Sequence, residues 1–428
     1  MKIREMHITP IAIVDPPLLN AAGLHAPYAL RIIIELITDN NISGISEIPG
    51  SEKIRNCLEE SREEITGKDP FNLTNIFKSL ESKFSGVDND IRGEQSWDQR
   101  VLTHIFSAIE VACLDIIGKE TGRRISDLLG GTVREQVPFS AYLFFKHKGA
   151  GGELGFDIDP SASGWAAARQ AQALDVEGIV AQGKAMREAF GFQSVKLKGG
   201  VCAPEIELEC LRALHNEFGN KVPLRFDPNG VWSVETAISY GKEMEGILDY
   251  YEDPVRGREA MSRVRKALDI AIATNMCTTS FKDIPESIRI GSEDIILSDH
   301  HFWGGLRASM HLEWLCSVFG RKLSMHSNSH LGISLAAMLH LGAALKELHY
   351  AFDTHYPWQE EEVIKGGKFC FENGFISVPK GPGLGVELDK EALAKLHNNY
   401  KRCGLMHRDD EIEMQKVEPG WKFELTRW

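Results

Sequence analysis

From residue 136 onward, short apolar segments alternate with longer stretches in which apolar residues recur every three or four positions. The short segments are rich in branched and aromatic residues, which is typical of strands. There are eight of them, at residues 138–145, 194–198, 222–228, 248–254, 270–275, 295–299, 323–326 and 350–355. Eight strands that alternate with helices predict a parallel α/β barrel. A flat doubly wound sheet is the rival architecture, but no GxGxxG sequence follows any of these segments.

The pattern before residue 136 is different. An apolar run at residues 29–39 predicts a strand, Asn40 and Asn41 a turn, and the residues up to Gly50 a second short strand. Apolar residues then recur at helical spacing from Phe106 to Ile116, and Gly122 ends that helix. We therefore predict an α+β domain over residues 1–135 and a barrel domain over residues 136–384.

Two further segments lie outside these repeats. The polar tail, residues 385–428, has partly helical spacing, and we expect it to pack back on the first domain. The Gly-rich stretch 149–164 follows the first barrel strand and predicts an ordered loop or lid.

Composition limits the classes of partner. The net charge of −13 disfavours nucleic acid or an anionic membrane, because either would require a basic face. No run approaches the roughly 18 apolar residues of a membrane span, and the start lacks the apolar core of a signal peptide, so we expect a cytoplasmic protein. The eight cysteines form no CxxC pair and are interpreted as reduced thiols.

In an α/β barrel, catalytic groups lie at the carboxyl ends of the strands, and two lysines occupy one such position. Lys196 and Lys198 are two residues apart in the second strand, so their side chains share a face. If that face is interior, each ammonium group lowers the pKa of the other, and one lysine becomes a usable base near neutral pH. Taken alone, the pair is better explained as the lysines of an edge strand.

Polar residues also end the next three strands. Asp227, Glu252 and Asn275 supply only hard oxygen donors, the set that suits Mg²⁺ with coordination positions left for substrate and water. Each residue could separately be a turn former, since Asp-Pro-Asn-Gly and Glu-Asp-Pro are both turn sequences. Three such residues at successive strand ends beside a lysine pair favour a metal site.

A carboxylate and a histidine end the sixth and seventh strands. His326 ends the seventh strand and Asp299 the sixth, so the carboxylate could fix the tautomer and basicity of the imidazole. A lone histidine at a strand end is more often structural, but this pair would face the lysines across the barrel. His300, His301 and His330 rank below His326 because their neighbours suggest loop or helix.

Together these groups fit one kind of chemistry. Removing a proton next to a carboxylate requires a divalent cation and ammonium groups near the carboxylate oxygens. A base on each face of the substrate then permits either racemisation or elimination of a β-hydroxyl group. The residues alone do not choose between these reactions.

Many short motifs occur in an order that resembles the glucarate dehydratase group of the enolase superfamily, over nearly the whole chain. They are LHAPYALR from residue 24, EIPGSEKIR from 47, GEQSWDQR from 93, AYLFF from 141, VKLKGG from 195, RFDPNG from 225, YEDP from 251, ATNM from 273, SDHHFWG from 298, MHSNSH from 325, AFDTHYPWQE from 351, PGLGVE from 382 and HRDD from 407. The resemblance implies a (β/α)7β modified TIM barrel. It also implies an α+β capping domain, formed by the N-terminal region and the C-terminal tail.

The resemblance also implies an activity. The expected reaction is the Mg²⁺-dependent conversion of D-glucarate to 5-dehydro-4-deoxy-D-glucarate and water by a homo-oligomer. Lys198 and the Asp299/His326 pair would be the acid/base groups, Lys196 and Asn328 would assist the enolate, and Asp227, Glu252 and Asn275 would hold the metal. The residues expected to contact the diacid are Asn20, His25, Ser96, Tyr142, Ser327, His355 and Arg408.

Two departures from the family pattern keep alternatives open. Ser96 stands where threonine is usual, and residues 254–259 are several residues shorter than the family's loop after the fourth strand. The short loop makes Glu259 a reserve candidate for the metal's carboxylate ligand. The alternatives are a dehydratase or epimerase of another acid sugar such as idarate or galactarate, a weakly active paralogue, and a non-catalytic sugar-acid-binding protein.

Overall fold

A computed structural model describes residues 1–88 and 92–428. The N-terminal region contains a three-stranded antiparallel sheet in the order β1-β4-β5 and a small β2-β3 hairpin. The strands are β1 (Ile3–Val14), β2 (Leu19–Asn20), β3 (Gly23–Leu24), β4 (Tyr28–Thr38) and β5 (Ser43–Pro49). β4 and β5 are the two predicted strands, whereas β1 was not predicted. β1 carries Pro10 but pairs with β4 along nearly its whole length.

In the described part of residues 50–130, five helices follow the sheet. They are α1 (Glu52–Glu60), α2 (Arg62–Ile65), α3 (Leu73–Lys83), α4 (Leu102–Thr121) and α5 (Ile125–Leu128). α4 is the predicted helix, and it ends at Gly122 with φ 65°, a left-handed conformation that suits glycine. Its buried face packs on β5, where the Ser46 hydroxyl donates to the carbonyl of Ala108 over 2.7 Å.

Eight parallel strands form the second part of the molecule. They are β6 (Gln136–Phe144), β7 (Val195–Lys198), β8 (Leu224–Asp227), β9 (Tyr250–Glu252), β10 (Ile272–Thr274), β11 (Ile295–Ser298), β12 (Lys322–Met325) and β13 (Phe352–Asp353). They pair in the order β12-β11-β10-β9-β8-β7-β6-β13, and β12 lies beside β13, so the sheet nearly closes on itself. All eight coincide with the predicted segments, and the (β/α)7β barrel is confirmed.

Helices separate the strands and cover the outside of the barrel. They are α6 (Gly164–Gln170), α7 (Val176–Phe190), α8 (Pro204–Phe218), α9 (Val234–Met244), α10 (Arg258–Ala267), α11 (Ile284–Ile290), α12 (Leu306–Val318) and α13 (Gly332–Ala344). The stretch at residues 149–164 is ordered and contains a 3₁₀ turn, Gly152–Leu154. The amide of Gly152 donates to the carbonyl of Pro27, which joins this stretch to the N-terminal region.

The C-terminal segment returns to the N-terminal sheet. It contains β14 (Phe375–Ser377), which pairs antiparallel with β6, then α14 (Lys390–Cys403) and α15 (Asp410–Gln415). α14 packs on β1, where Nδ1 of His397 lies 2.7 Å from the carbonyl oxygen of Pro10. The tail therefore covers the N-terminal sheet, while the domain boundaries at residues 135 and 385 remain predictions.

Among the described residues, no helix combines the length and apolar character that crossing a membrane would demand.

Candidate active site

The two lysines of β7 point into the barrel. β7 pairs with β8 so that Lys198 lies opposite Asp227, and Nζ of Lys198 lies 2.6 Å from Oδ2 of Asp227. Burial lowers the pKa of Lys198, the Asp227 carboxylate opposes this effect, and the ammonium group of Lys196 lowers the pKa further. The interior position excludes an edge-strand role for this pair, because β7 has a neighbour on each side.

Lys196 behaves differently from the prediction that each lysine lowers the pKa of the other. Its Nζ lies 2.5 Å from Oε2 of Glu252 and 2.6 Å from Oδ2 of Asp353. Burial alone would lower the pKa of Lys196, but Asp353 and Glu252 raise it well above its ordinary value. That part of the prediction was wrong for Lys196. Because two carboxylates hold its proton, Lys196 is suited to stabilise negative charge rather than to act as a base.

Three carboxylates and one amide side chain meet beside the lysines. Carboxylate oxygens of Asp227, Glu252 and Asp253 lie within 4.8 Å of one another, and all three residues are buried. Asn275 adjoins them, since its Nδ2 donates to Oε1 of Glu252 over 2.7 Å. The reserve candidate, Glu259, is exposed in the first turn of α10. The geometry therefore favours Glu252 as the carboxylate of this group.

The charges of this cluster suit a divalent cation. Burial raises the pKa of Glu252 well above its ordinary value, Lys196 opposes this, and the nearby Asp227, Asp353 and Asp253 carboxylates raise it further. Burial and Asp227 also raise the pKa of Asp253 to about 6. Buried carboxylates that repel one another in this way are stabilised by a cation, and hard oxygen donors suit Mg²⁺. Asp253 also belongs to this cluster, where its carboxylate accepts from the backbone amide of Asn275 and the hydroxyl of Thr274.

The predicted Asp299 and His326 pair lies at the ends of β11 and β12. Nδ1 of His326 lies 3.0 Å from Oδ2 of Asp299, and both residues are buried. Burial would raise the pKa of Asp299, but its contacts with His301 and His326 hold it well below its ordinary value. Burial lowers the pKa of His326, against the opposing effect of its hydrogen bond with Asp299. At neutral pH, Asp299 is therefore ionised and His326 is neutral.

His301 also contacts the Asp299 carboxylate. Its Nδ1 lies 2.8 Å from Oδ1 of Asp299, so that carboxylate is held between two imidazole rings. In the sequence, His301 ranks below His326 because its neighbours suggest loop or helix. The Asp-x-His spacing in Asp299-His300-His301 was the available signal, since the chain turns back after β11.

One cavity collects the remaining predicted residues. This inner cavity lies between the barrel mouth and the N-terminal region. It is bordered by Asn20, His25, Ser96, Trp97, Tyr142, Phe144, Lys198, Phe302, His326, Ser327, Asn328, His355 and Arg408. All seven residues predicted to contact a diacid are in this set. Trp97, Phe144 and Phe302 were not predicted, because an aromatic residue gives no signal in sequence that separates a cavity wall from a core.

Several cavity groups already have protein partners. Arg408 donates from Nε and Nη2 to both carboxylate oxygens of Asp410, over 2.8 and 2.6 Å, and stacks on Trp97. Nδ2 of Asn20 donates to the same carboxylate over 2.7 Å. Nδ1 of His25 lies 3.1 Å from Oδ2 of Asp15. Arg408 retains Nη1 and one Nη2 hydrogen for a ligand, since a guanidinium group has five donors.

Ser96 differs from these cavity residues in its hydrogen bonding. Its Oγ is buried and has no hydrogen-bond partner among the described residues. A buried hydroxyl without a partner is costly, and this one is at the wall of the inner cavity, where a polar ligand could bond to it.

A second, larger cavity adjoins the first and shares His25, Trp97, Phe302, Asn328 and Arg408 with it. This outer cavity is also bordered by Arg31 of β4 and by Lys53 of α1. The N-terminal region and the C-terminal tail therefore both border the route toward the barrel mouth.

Comparisons with known proteins agree with this arrangement. A sequence model of the family described as "Enolase C-terminal domain-like" matches residues 178–392. A curated relative from Streptomyces coelicolor, named "Probable glucarate dehydratase", is 42% identical over 100% of this chain and 99% of its own length.

Two solved structures are similar over the whole chain. An enolase from Thermobispora bispora complexed with magnesium and formate is 44% identical with a TM-score of 0.93, and the match covers 100% of both chains. An enolase from Pseudomonas fluorescens with bound magnesium, potassium and tartrate is 43% identical with a TM-score of 0.92, and the match covers 100% of this chain and 99% of that one. The chain therefore belongs to the enolase superfamily and, within it, to the family of the probable glucarate dehydratase from Streptomyces coelicolor.

Proposed function

We propose that the protein is a Mg²⁺-dependent hydro-lyase that converts D-glucarate to 5-dehydro-4-deoxy-D-glucarate and water. One observation carries the proposal: Lys198 and His326 border the same cavity, directly beside the buried carboxylates of Asp227 and Glu252. The name of the curated relative and the magnesium in the similar structures support the same reading.

The histidine is arranged to act as a base. The ionised Asp299 carboxylate can only accept, so Nδ1 of His326 carries the hydrogen and Nε2 keeps its lone pair. His326 borders the cavity, where Nε2 can take the proton next to the substrate carboxylate. The resulting imidazolium is stabilised by Asp299 and can return this proton to the departing β-hydroxyl group, which leaves as water.

The lysines serve two further roles. Lys198 supplies a second acid/base group with a lowered pKa in the same cavity, and the permanently charged Lys196 stabilises the negative charge of the enediolate. Asp227, Glu252 and Asn275 would hold Mg²⁺, which when bound neutralises charge that develops on the substrate carboxylate.

The far side of the cavity suits a second carboxylate. Arg408 and His25 lie there, and arginine is a bidentate partner of carboxylates. The Ser96 hydroxyl, which lacks a protein partner, is available to a substrate hydroxyl or carboxylate group. A polar chain with a carboxylate at each end matches these groups.

Epimerisation is the second candidate. Two acid/base groups at one cavity permit one to remove the proton and the other to return it on the opposite face. Idarate and galactarate carry the same two carboxylates as glucarate, and the short loop at residues 254–259 gives a reason for a changed rate or substrate.

The test uses the purified full-length protein with Mg²⁺ and a panel of hexarates. The keto product is assayed, and exchange of the proton next to the carboxylate is followed by NMR in D₂O. Keto product from D-glucarate that disappears on addition of EDTA is the expected result. Exchange without keto product identifies an epimerase. The absence of both keto product and exchange with every diacid tested refutes the catalytic proposal.

A further inference from the structure

Arg31 joins the N-terminal sheet to the barrel mouth. It lies in β4, and its side chain is only 2% exposed. Nη1 donates to Oδ1 of Asn328 over 2.7 Å, Nε donates to Oε1 of Glu47 over 2.9 Å, and Nη2 donates to Oγ of Ser334 over 3.1 Å. Arg31 borders the outer cavity and does not occur among the described residues that border the inner one.

These contacts fix the orientation of the Asn328 amide. A guanidinium group only donates, so the carbonyl oxygen of Asn328 must face Arg31. The amide nitrogen then faces Asp299, and Nδ2 of Asn328 lies 3.1 Å from Oδ2 of that carboxylate. This is the same oxygen that contacts Nδ1 of His326. One Nδ2 hydrogen therefore serves Asp299, and the other remains for the inner cavity, which Asn328 borders.

Arg31 is itself held by a rigid partner. The Glu47 carboxylate accepts from the amides of Leu331 and Ser334 over 2.8 and 2.9 Å, at the start of α13. A carboxylate at this end of a helix is stabilised by the helix dipole and by the free amides. The Arg31 and Glu47 pair thus bridges the N-terminal sheet and the segment that carries His326 and Asn328.

We propose that Arg31 is a positioning residue that holds the Asn328 amide in the orientation required by both Asp299 and the substrate. This inference rests on the proposed acid/base function of His326. Without Arg31, only the 3.1 Å contact with Asp299 holds the amide, so the side chain is free to leave the orientation that presents a donor to the cavity. Through Arg31, the N-terminal domain would therefore act directly on the catalytic pair as well as cover the cavity.

The test compares Arg31→Met, Arg31→Lys, Asn328→Ala and the double variants in the full-length protein with Mg²⁺. We expect Arg31→Met to lower kcat by about 10- to 100-fold with a KM within about threefold, because the group displaced acts in the transition state. In the Asn328→Ala background, Arg31→Met should lower kcat less than about threefold, because the amide that Arg31 orients is absent. An equal loss in both backgrounds, or a loss confined to KM, overturns the proposal.

Arg321→Met is the matched control. Arg321 pairs with Glu293 over 3.2 Å at the amino end of β12, opposite the site, and is also largely buried. Arg321→Met should lower thermal stability and leave kcat within about twofold of the wild-type value. If Arg31→Met does not fold, Arg31→Lys, which keeps the charge but loses the fork of donors, is used instead and should show the same non-additivity with Asn328→Ala.

One readout does not need turnover. In ¹⁵N-labelled protein, the Nδ1 hydrogen of His326 is assigned with a His326→Gln variant. Arg31 does not touch His326, but it contacts Asn328, and its Nη2 lies 3.4 Å from Nε2 of His301, which in turn contacts Asp299. Its replacement should therefore shift this resonance, and the shift should be smaller in the Asn328→Ala background, where the route through Asn328 is absent. An unchanged resonance overturns the positioning role. Loss of the proposed function alone would appear as an inactive wild type in which this resonance still responds.

Discussion

Nζ of Lys198 lies 2.6 Å from Oδ2 of Asp227, so the candidate base and a candidate metal ligand contact each other directly. The ammonium group and a divalent cation would compete for the same buried carboxylate oxygen. Binding of a cation by Asp227 would therefore weaken the contact that keeps Lys198 protonated and would make the amine available for proton transfer. On the proposed function, metal binding and activation of Lys198 are linked through Asp227.

Lys198→Ala should lower turnover by about 10²- to 10⁴-fold while Mg²⁺ binding survives. The loss follows from removing an acid/base group, and binding survives because Asp227, Glu252 and Asn275 remain. Turnover and calorimetric titration with Mg²⁺ measure the two effects. Lys184→Ala is the control, because Lys184 is exposed and pairs only with Glu217 among the ion pairs of the described residues. Normal activity of Lys198→Ala would refute the mechanism.

Glu252→Gln should weaken Mg²⁺ binding at least tenfold, whereas Glu259→Gln should leave it unchanged. Glu252 lies in the buried carboxylate cluster, but Glu259 is exposed on α10. Glutamine has nearly the same shape as glutamate, so the comparison isolates the charge. Calorimetry with Mg²⁺ decides between them, and a larger effect at Glu259 would reassign the ligand.

The strand ends could be predicted because barrel strands are buried on both faces. Their interiors are almost wholly apolar, so a polar residue at the end of a strand, such as Asp227 or His326, stands out. The order of the strands then brings these residues together without further information.

Contacts between distant segments could not be predicted in the same way. Arg31 and Asn328 are 297 residues apart, and their meeting depends on where the N-terminal sheet sits on the barrel. Asp353 ends the eighth barrel strand, but its contact with Lys196 depends on the pairing of β13 with β6. Periodicity fixes which face a residue occupies within its own element and says nothing about the partner across a domain boundary.

Ser96→Ala should raise KM several-fold with little loss of stability. The Ser96 hydroxyl is buried without a partner among the described residues, so its removal costs the free protein little or stabilises it. A bound substrate would lose a hydrogen bond. Steady-state kinetics and thermal melts measure the two quantities, and Ser96→Thr, which keeps the hydroxyl, is the control. An unchanged KM in Ser96→Ala would remove this residue from the substrate site.

Acid should destabilise the fold through three buried histidines. Burial lowers the pKa of His104, His330 and His340 from 6.5 to about 4. Between pH 6.5 and 4 the unfolded chain binds protons that the folded protein does not bind. The contribution of these histidines to the free energy of unfolding is therefore complete above pH 6.5 and is lost as pH falls toward 4. Each residue contributes up to about 3 kcal/mol over this window.

The free energy of unfolding, measured with urea at pH 7, 6, 5 and 4.5, should therefore fall steeply below pH 6.5. His340→Gln offers the sharpest check, because glutamine cannot titrate and can still donate to the carbonyl of Leu384, which lies 3.0 Å from Nε2 of His340. This variant should show a shallower pH dependence, whatever its stability at pH 7. His311→Gln is the control, since that histidine is exposed on α12. Equal slopes in His340→Gln and the wild type would mean that His340 is protonated in the folded protein already near pH 6.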